Sequence, residues 1–342
     1  MNKRIKKILQ QNEVYILIII FALSLLIQFR SGQFYTPNNI VDILSAMVVP
    51  GMFAVGAFLV LLSGGIDVSF PALASLSAYA ITKSLLDAEY SGNILVPILL
   101  AIVIGIILGS INGFFVGYLK LPALIVTLGT SSVFKGFMQG TLKSKQLAVI
   151  PSGMKKFGTS ALATAENAKS GLTSVLPVAF LVLILVLIIT FFVLRYTMFG
   201  RGIYAIGGNE SAAYNAGFKV KRTKFLLYVF AGVIASVAGV IRVCMMQQAH
   251  PTNMLGMEMN IIAGVVLGGT SMVGGKGTLT GCMLGTLLIV LVENSLILIG
   301  VPVVWKKVFV GLLIVIGTAM SAYQVKRADK QRVKLTVDKE VA

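Results

Sequence analysis

The chain has 342 residues, of which 57% are hydrophobic and only 12% are charged. An ordinary soluble domain carries about 25% charged residues, so this composition excludes one and indicates an integral membrane protein. A helix needs about 20 apolar residues to cross the hydrocarbon core. The length therefore allows about eight to eleven spanning helices and no soluble catalytic domain.

The charge balance is strongly basic, with 29 Lys and Arg residues against 12 Asp and Glu residues, a net charge of +17. These basic residues lie between apolar runs and do not form one face, which argues against nucleic acid as a partner. In a membrane protein such an excess is typical of cytoplasmic loops facing anionic lipid.

Few residues could carry chemistry. Cys244 and Cys282 are isolated, and His250 is the single histidine, so neither a disulfide framework nor a metal site is predicted. The sequence GGTSMVGGKGT resembles a phosphate-binding loop, but Gly277 follows Lys276 where that loop needs Ser or Thr. We expect no catalytic residue, metal or cofactor on this chain, and any ATP must be bound by a partner.

Ten apolar runs follow one another along the chain: 14–30, 40–62, 68–86, 94–118, 122–142, 172–194, 224–247, 259–271, 278–299 and 303–322. They predict an all-α transmembrane domain over 1–322 with about ten membrane-spanning helices, followed by a basic tail over 323–342. The eighth run is short for a full span.

Basic residues predict which loops are cytoplasmic. They are concentrated at the N-terminus, in the segment 195–224 and in the tail, so the positive-inside rule places all three in the cytoplasm. Ten crossings satisfy this arrangement. The segment 143–171 conflicts with it, because it is lysine-rich but falls outside by the count. Its Ser, Thr, Ala and Gly content is typical of an exposed loop.

Glycine pairs interrupt two apolar stretches, LLSGGIDVSFPAL at 61–73 and VVLGGTSMVGGKGTLTG at 265–281. Glycine permits close backbone approach and broken or re-entrant helices in a membrane protein. The candidate hinge or packing residues are Gly64, Gly65, Gly268, Gly269, Gly274 and Gly275. Asn112 with Leu121-Pro122 is echoed by Asn294 with Val301-Pro302, a weak indication of two related halves.

Ionisable residues inside apolar runs are costly and need a reason. Asp67 follows the first glycine pair, and we favour a helix N-cap for it over a substrate ligand. Glu293, beside Asn294, suits a polar contact between helices.

The segment YAIGGNESAAYNAG at 204–217 contains a predicted short helix. Gly207 and Gly208 break the chain, Asn209 is a plausible N-cap and Glu210 lies in the first turn. Gly217 can end the helix, and Ala212 and Ala213 give it a slim surface that a partner's groove could accept. An ordinary amphipathic connector with basic anchors is the alternative.

Four motifs in order, LLSGGIDVSF, INGFFVGYLKLPALIVTLGT, YAIGGNESAAYNAG and AGVVLGGTSMVGGKGTLTG, resemble the permease subunits of binding-protein-dependent ABC importers for ribose and related simple sugars. The resemblance covers residues 40–320. It implies a type II permease fold in the bacterial inner membrane and makes 205–217 the coupling helix that docks on an ATPase.

The resemblance also implies partners: an ABC ATPase subunit that binds ATP and Mg, an extracytoplasmic sugar-binding protein, and a second permease subunit, identical or a paralogue. The implied translocation path runs between the two permeases. Polar residues are the candidates to contact the cargo on this path: Asp67, Ser69, Asn112, Thr127, Glu293 and Asn294.

Other readings stay open at this point. Relatives in the same superfamily carry autoinducer-like sugars, nucleosides or branched-chain amino acids. An ion-coupled secondary transporter is a different class, but it commonly needs intramembrane carboxylates or histidines with partners, and only Asp67 and Glu293 are available.

Overall fold

The computed structural model describes residues 12–143, 145–167, 171–312 and 315. The predicted tail at 323–342 and the basic residues at the extreme N-terminus lie outside these residues. Within them the chain is mostly helical, as predicted.

The helices and strands follow in chain order. They are α1 (Asn12–Ser31), α2 (Pro37–Leu62), α3 (Phe70–Asp87), α4 (Leu95–Gly113) with a π-helical turn (Phe114–Tyr118), α5 (Ala123–Gly140), α6 (Ser152–Thr159), β1 (Ala161–Glu166), β2 (Thr173–Pro177), α7 (Ala179–Tyr196), α8 (Met198–Gly208), α9 (Glu210–Asn215), α10 (Val220–Met246), α11 (Glu258–Leu267) and α12 (Leu279–Ser295). Two 3-10 turns, Leu296–Ile299 and Val303–Trp305, come next, and residues 306–312 are helical.

Six helices in the described part of the chain are long and apolar enough to cross a membrane: α1, α2, α4 with its π-helical turn, α7, α10, and α12 with its 3-10 turn. The predicted runs at 68–86 and 122–142 are the 18-residue helices α3 and α5, and the eighth run is the 10-residue helix α11. Length and composition therefore support six membrane-spanning helices in the described residues, whereas the number of ten spanning helices stays a prediction.

Helices α2 and α10 form the centre of the bundle. In the most apolar 18-residue stretch of each helix, 78% of the residues are buried in α2 and 72% in α10. The corresponding fraction is 17% in both α1 and α7. Helix α10 packs against α4, α3 and α2. The outer surfaces of α1, α4 and α7 expose large apolar side chains, as expected of surfaces that face lipid.

The expectation of an all-α chain is wrong at one segment. Strand β1 lies in the stretch 143–171 predicted as a loop and pairs antiparallel with β2. The sixth apolar run begins as strand β2 before it becomes α7. Residues 173–176 alternate between exposed and buried in the structure, but their letters TSVL do not alternate between polar and apolar, so no period of two marks a strand there. The chain is therefore mostly helical with one small hairpin.

The loops divide into two sets that lie at opposite ends of the bundle. One set, which we name the junction face, includes the start of α1, the α2–α3 loop, α8, α9 and the α11–α12 loop. Here the Glu13 carboxylate accepts a hydrogen bond from the Thr278 hydroxyl at 2.7 Å, and the Tyr204 hydroxyl donates to the Gly277 carbonyl at 3.0 Å.

The second set, the hairpin face, includes the α3–α4 loop, the segments 141–143, 145–167 and 171–177, and the α10–α11 loop. Leu147 pairs with Ala249 through two backbone hydrogen bonds of 2.9 and 3.0 Å, and the Ser152 hydroxyl donates to the Ser91 carbonyl at 3.1 Å. The lysine-rich segment thus lies on the same face as the α3–α4 and α10–α11 loops. The predicted ten crossings, counted from a cytoplasmic N-terminus, place all three on the outer side of the membrane.

Candidate coupling site

Helices α8 and α9 form the predicted coupling segment. The Thr197 hydroxyl caps α8 by accepting from the Gly200 N–H at 3.0 Å. The Asn209 side chain caps α9 by accepting from the Ala212 N–H at 2.9 Å, which confirms the predicted N-cap. Gly217 ends the segment with φ of +87°, a left-handed conformation that glycine adopts at no steric cost.

Glu210 begins α9 and joins the segment to the central helix. Its carboxylate pairs with the Lys224 ammonium at 2.6 Å, so α9 is tied to the first turns of α10. Ala213 is buried on the inner side of α9, whereas Ala212 is exposed. One alanine of the predicted slim surface therefore faces the bundle and the other faces outward.

Three glycine motifs meet where α8 ends. The Leu62 carbonyl at the end of α2 accepts a hydrogen bond from the Gly275 N–H at 2.9 Å. Gly207 packs directly over this bond: a Cβ there would collide with the Leu62 carbonyl oxygen and lie 2.5 Å from the Gly275 nitrogen. We name the contact among Leu62–Gly65, Gly207–Gly208 and Gly274–Gly275 the glycine junction.

The junction is closely packed on its other sides as well. A Cβ on Gly274 would lie 2.6 Å from the Gly64 nitrogen and 2.9 Å from the Gly207 Cα, and a Cβ on Gly275 would lie 2.7 Å from the Gly208 Cα. Gly64, Gly274 and Gly275 all have positive φ. Only glycine meets both requirements, because an L side chain is strained at positive φ and no space exists for it.

Gly268 and Gly269, also predicted as hinge or packing residues, lie outside the junction. Gly268 is at the crossing of α11 and α12, where a Cβ would collide with the Gly281 carbonyl. Gly269 turns the chain with φ of +89°. The first is therefore a packing point and the second a turn.

A buried polar network holds the loop that follows the junction. One Asp67 carboxylate oxygen accepts from both the backbone N–H and the hydroxyl of Ser69, each at 2.7 Å. The Asn112 amide of α4 donates to the Ser69 hydroxyl at 2.8 Å. All three side chains are at least nine-tenths buried.

Thr127 of α5 joins the same loop. Its hydroxyl is 3.2 Å from both the Ile66 carbonyl, to which it donates, and the Val68 N–H, from which it accepts. Four of the six predicted path residues therefore form one network that ties the loop to α4 and α5. Whether they contact cargo stays a prediction.

Asp67 does not occupy the N-cap position predicted for it. The N-cap of α3 is Ser69, and Asp67 bonds the Ser69 N–H two residues along, before the helix begins. Proline at the second position of α3, Pro71, has no N–H that needs a cap. The carboxylate therefore stabilises the turn into the helix instead of its first turn.

Glu293 and Asn294 lie apart from this network. The Glu293 carboxylate accepts from the Asn260 amide of α11 at 2.8 Å, which is the polar contact between helices predicted for it. The Asn294 amide donates to the Val290 carbonyl of its own helix at 2.8 Å. Both residues line an open cavity of about 590 Å³ together with Asn260 and Lys306.

Two features of the site escaped sequence reasoning. The Tyr228 hydroxyl of α10 is buried beside Gly65, and no local motif marks it. Gly105, Gly109, Gly113 and Gly117 recur every fourth residue along α4 and its π-helical turn, and each packs on the backbone of α10. This G-x-x-x-G repeat is the signal in the sequence that predicts close packing of the two helices.

The comparisons with known proteins agree with this architecture. Residues 39–317 match the family model described as "Branched-chain amino acid transport system / permease component". The chain belongs to this permease family. It is a multi-pass membrane protein of a transport family, and its resemblance to the permeases of sugar-type ABC importers is confirmed.

Individual relatives cover most of the chain. It is 34% identical to the ribose import permease protein RbsC of Bacillus subtilis, over 88% of this chain and 90% of that protein. It is 30% identical to the autoinducer 2 import system permease protein LsrC of Photorhabdus luminescens, over 90% and 89%. It is also 30% identical to the probable ABC transporter permease protein YphD of Escherichia coli, over 94% and 92%. No solved structure matches the chain.

Proposed function

We propose that this chain is the membrane subunit of an ATP-driven importer and forms the translocation path for a simple sugar such as ribose. An external binding protein delivers the sugar, a separate ATPase subunit hydrolyses ATP, and two permease subunits enclose the path. The relatives named as ribose import permeases support this cargo class.

The observation that carries the proposal is the glycine junction. Gly207 lies in the last turn of the coupling helix α8 and packs on the loop that leads into the buried network of α3, α4 and α5. Movement of α8 and α9 by an ATPase is transmitted through backbone contacts without compressible side chains between them. This suits a rigid-body switch between two discrete arrangements of the path.

Uptake by the reconstituted complex tests the function. Proteoliposomes that contain this chain, its ATPase and its binding protein should accumulate labelled ribose when ATP is present on the ATPase side. Vesicles with the chain alone should show no accumulation under a proton or sodium gradient. Accumulation of ribose under an ion gradient without the ATPase would instead show that the chain is an ion-coupled secondary transporter.

Autoinducer 2 is the second candidate cargo, because a relative named for its import is 30% identical over 90% of this chain. Competition experiments in the same vesicles distinguish ribose from autoinducer 2 as the preferred cargo. An excess of unlabelled ribose should suppress uptake of labelled ribose more strongly than autoinducer 2, nucleosides or branched-chain amino acids do.

We further propose that the junction face is cytoplasmic. Both native cysteines are buried, so an introduced thiol can report its side. Ser211→Cys on the junction face should react with a membrane-impermeant maleimide only after cells are opened, whereas Lys155→Cys on the hairpin face should react in intact cells. The reverse pattern would invert the topology and remove the coupling assignment, since the ATPase is cytoplasmic.

Glu210 is proposed to contact the ATPase, and Glu210→Arg should abolish copurification of that subunit. The substitution also removes the ion pair with Lys224, so a loss could reflect a displaced α9. The charge swap Glu210→Lys with Lys224→Glu restores the pair but not the acidic surface.

We expect the swapped variant to bind the ATPase as poorly as Glu210→Arg does. Glu258→Arg on the opposite end of the bundle is the matched control and should bind normally. If the swap restores copurification, the ion pair alone matters and Glu210 is not a docking residue.

A further inference from the structure

A groove of about 1090 Å³ opens on the junction face between the end of α4 and the coupling segment. One wall consists of Tyr118 and Lys120. The other wall consists of residues of α9 and the turn after it, and the first residues of α10 close the groove. The proposed transport cycle uses the α9 wall of this groove, but it assigns no role to the cations that line it.

The groove carries an excess of positive charge. Four cations line it: Lys120, Lys219, Lys221 and Arg222. The one acidic lining residue, Glu210, is already paired with Lys224 at 2.6 Å. None of the four cations takes part in an ion pair within the described residues. Their charges are therefore available to an anionic ligand.

The groove lies between the ends of two helices that are long and apolar enough to cross a membrane. Tyr118 is the last residue of the span Leu95–Tyr118, and Val220 is the first residue of the span Val220–Met246. Both line the groove, and the ends of spanning helices are where headgroups meet a membrane protein. Tyr118 and Tyr214 in the walls are exposed, and aromatic side chains favour the boundary between hydrocarbon and water.

We propose that this groove binds the phosphodiester headgroup of an anionic phospholipid. Basic pockets between membrane helices are suited to such headgroups, because several cations converge on one phosphate at headgroup depth. The convergence of four cations and two exposed tyrosines at the ends of two apolar helices favours lipid over the ATPase as occupant. A lipid held here contacts the coupling segment directly and stabilises its position.

The test compares two triple variants in nanodiscs made from equal amounts of phosphatidylcholine and phosphatidylglycerol. The first variant replaces Lys219, Lys221 and Arg222 by glutamine. The second replaces Lys143, Lys155 and Lys156 on the hairpin face and changes the net charge equally. Phosphatidylglycerol retained by each protein after mild extraction is counted by native mass spectrometry.

Each cation near an anionic surface contributes about fivefold to binding. The groove variant should therefore lose its preference for phosphatidylglycerol by about tenfold or more, whereas the hairpin-face variant should keep it. The single variant Lys221→Gln should show a smaller loss in the same direction, which keeps the test valid if the triple variant folds poorly. Unchanged retention in the groove variants would overturn the proposal.

Two further measurements distinguish a bound lipid from other ligands of the groove. Soluble inorganic phosphate should not displace the retained lipid, and displacement would assign the groove to a free phosphate instead. A groove variant that keeps its lipid but no longer copurifies with the ATPase would make the groove a protein-docking surface and overturn the lipid assignment. The lipid assay involves no transport, so its failure leaves the proposed function intact.

Discussion

Gly207→Ala should abolish ATP-driven uptake while the chain remains inserted in the membrane. The new Cβ would collide with the Leu62 carbonyl and separate it from the Gly275 N–H. These are backbone atoms, so no change of rotamer can relieve the contact, and α8 must move away from the loop. Overpacking of this kind costs about 1–3 kcal/mol, which corresponds to a loss of about 5- to 150-fold in the population of the intact junction.

Gly208→Ala is the matched control. It adds the same methyl group one residue further along, where no heavy atom lies within 4 Å. Uptake by proteoliposomes and the amount of copurified ATPase should both be measured. The expected pattern is normal ATPase binding by both variants and lost uptake in Gly207→Ala alone, because docking is kept and transmission is not. Equal uptake by the two variants would exclude the junction as the transmitting contact.

The structure of the coupling segment could be predicted well from the sequence, because the residues that specify it are neighbours in the chain. An Asn followed by Glu, a short alanine-rich stretch and a terminal glycine specify a capped helix without help from distant residues. The observed cap from Asn209 to Ala212 follows from this pattern alone. The family motifs were equally local, and each occurs within about twenty consecutive residues.

The glycine junction could not be predicted in the same way. Each glycine pair signals a break in its own segment, but the contact between Gly207 and Leu62 joins residues 145 positions apart. Nothing in either segment encodes that pairing. The network of Asp67, Asn112 and Thr127 has the same origin, since it depends on how α4 and α5 pack around the α2–α3 loop.

The hairpin at 161–177 was missed for a different reason. Its first strand, ALATAE, is mostly exposed and alanine-rich. It has no hydrophobic alternation and Thr164 is its one β-branched residue, so it carries little of the pattern that indicates a strand. Pairing with the second strand stabilises it.

Gly109→Ala should strongly destabilise the folded bundle. Gly109 lies in the middle of the four-residue repeat where α4 crosses α10, and a Cβ there would be 2.6 Å from the Tyr228 carbonyl oxygen and 3.0 Å from the Val229 Cα. The two backbones must separate to accept it, which also disturbs the contacts of Gly105 and Gly113. Overpacking costs typically about 1–3 kcal/mol, and the shared interface favours the upper end.

The reference variant is Gly136→Ala in α5, where no heavy atom lies within 4 Å of the added Cβ. Alanine is favoured over glycine in a helix interior by about 1 kcal/mol, so this variant should match or exceed the wild-type stability. Thermal unfolding of the detergent-solubilised proteins should therefore shift in opposite directions for the two substitutions. If both variants unfold at a higher temperature than the wild type, α4 and α10 accept the added methyl group without loss. The glycine repeat then does not hold the bundle together.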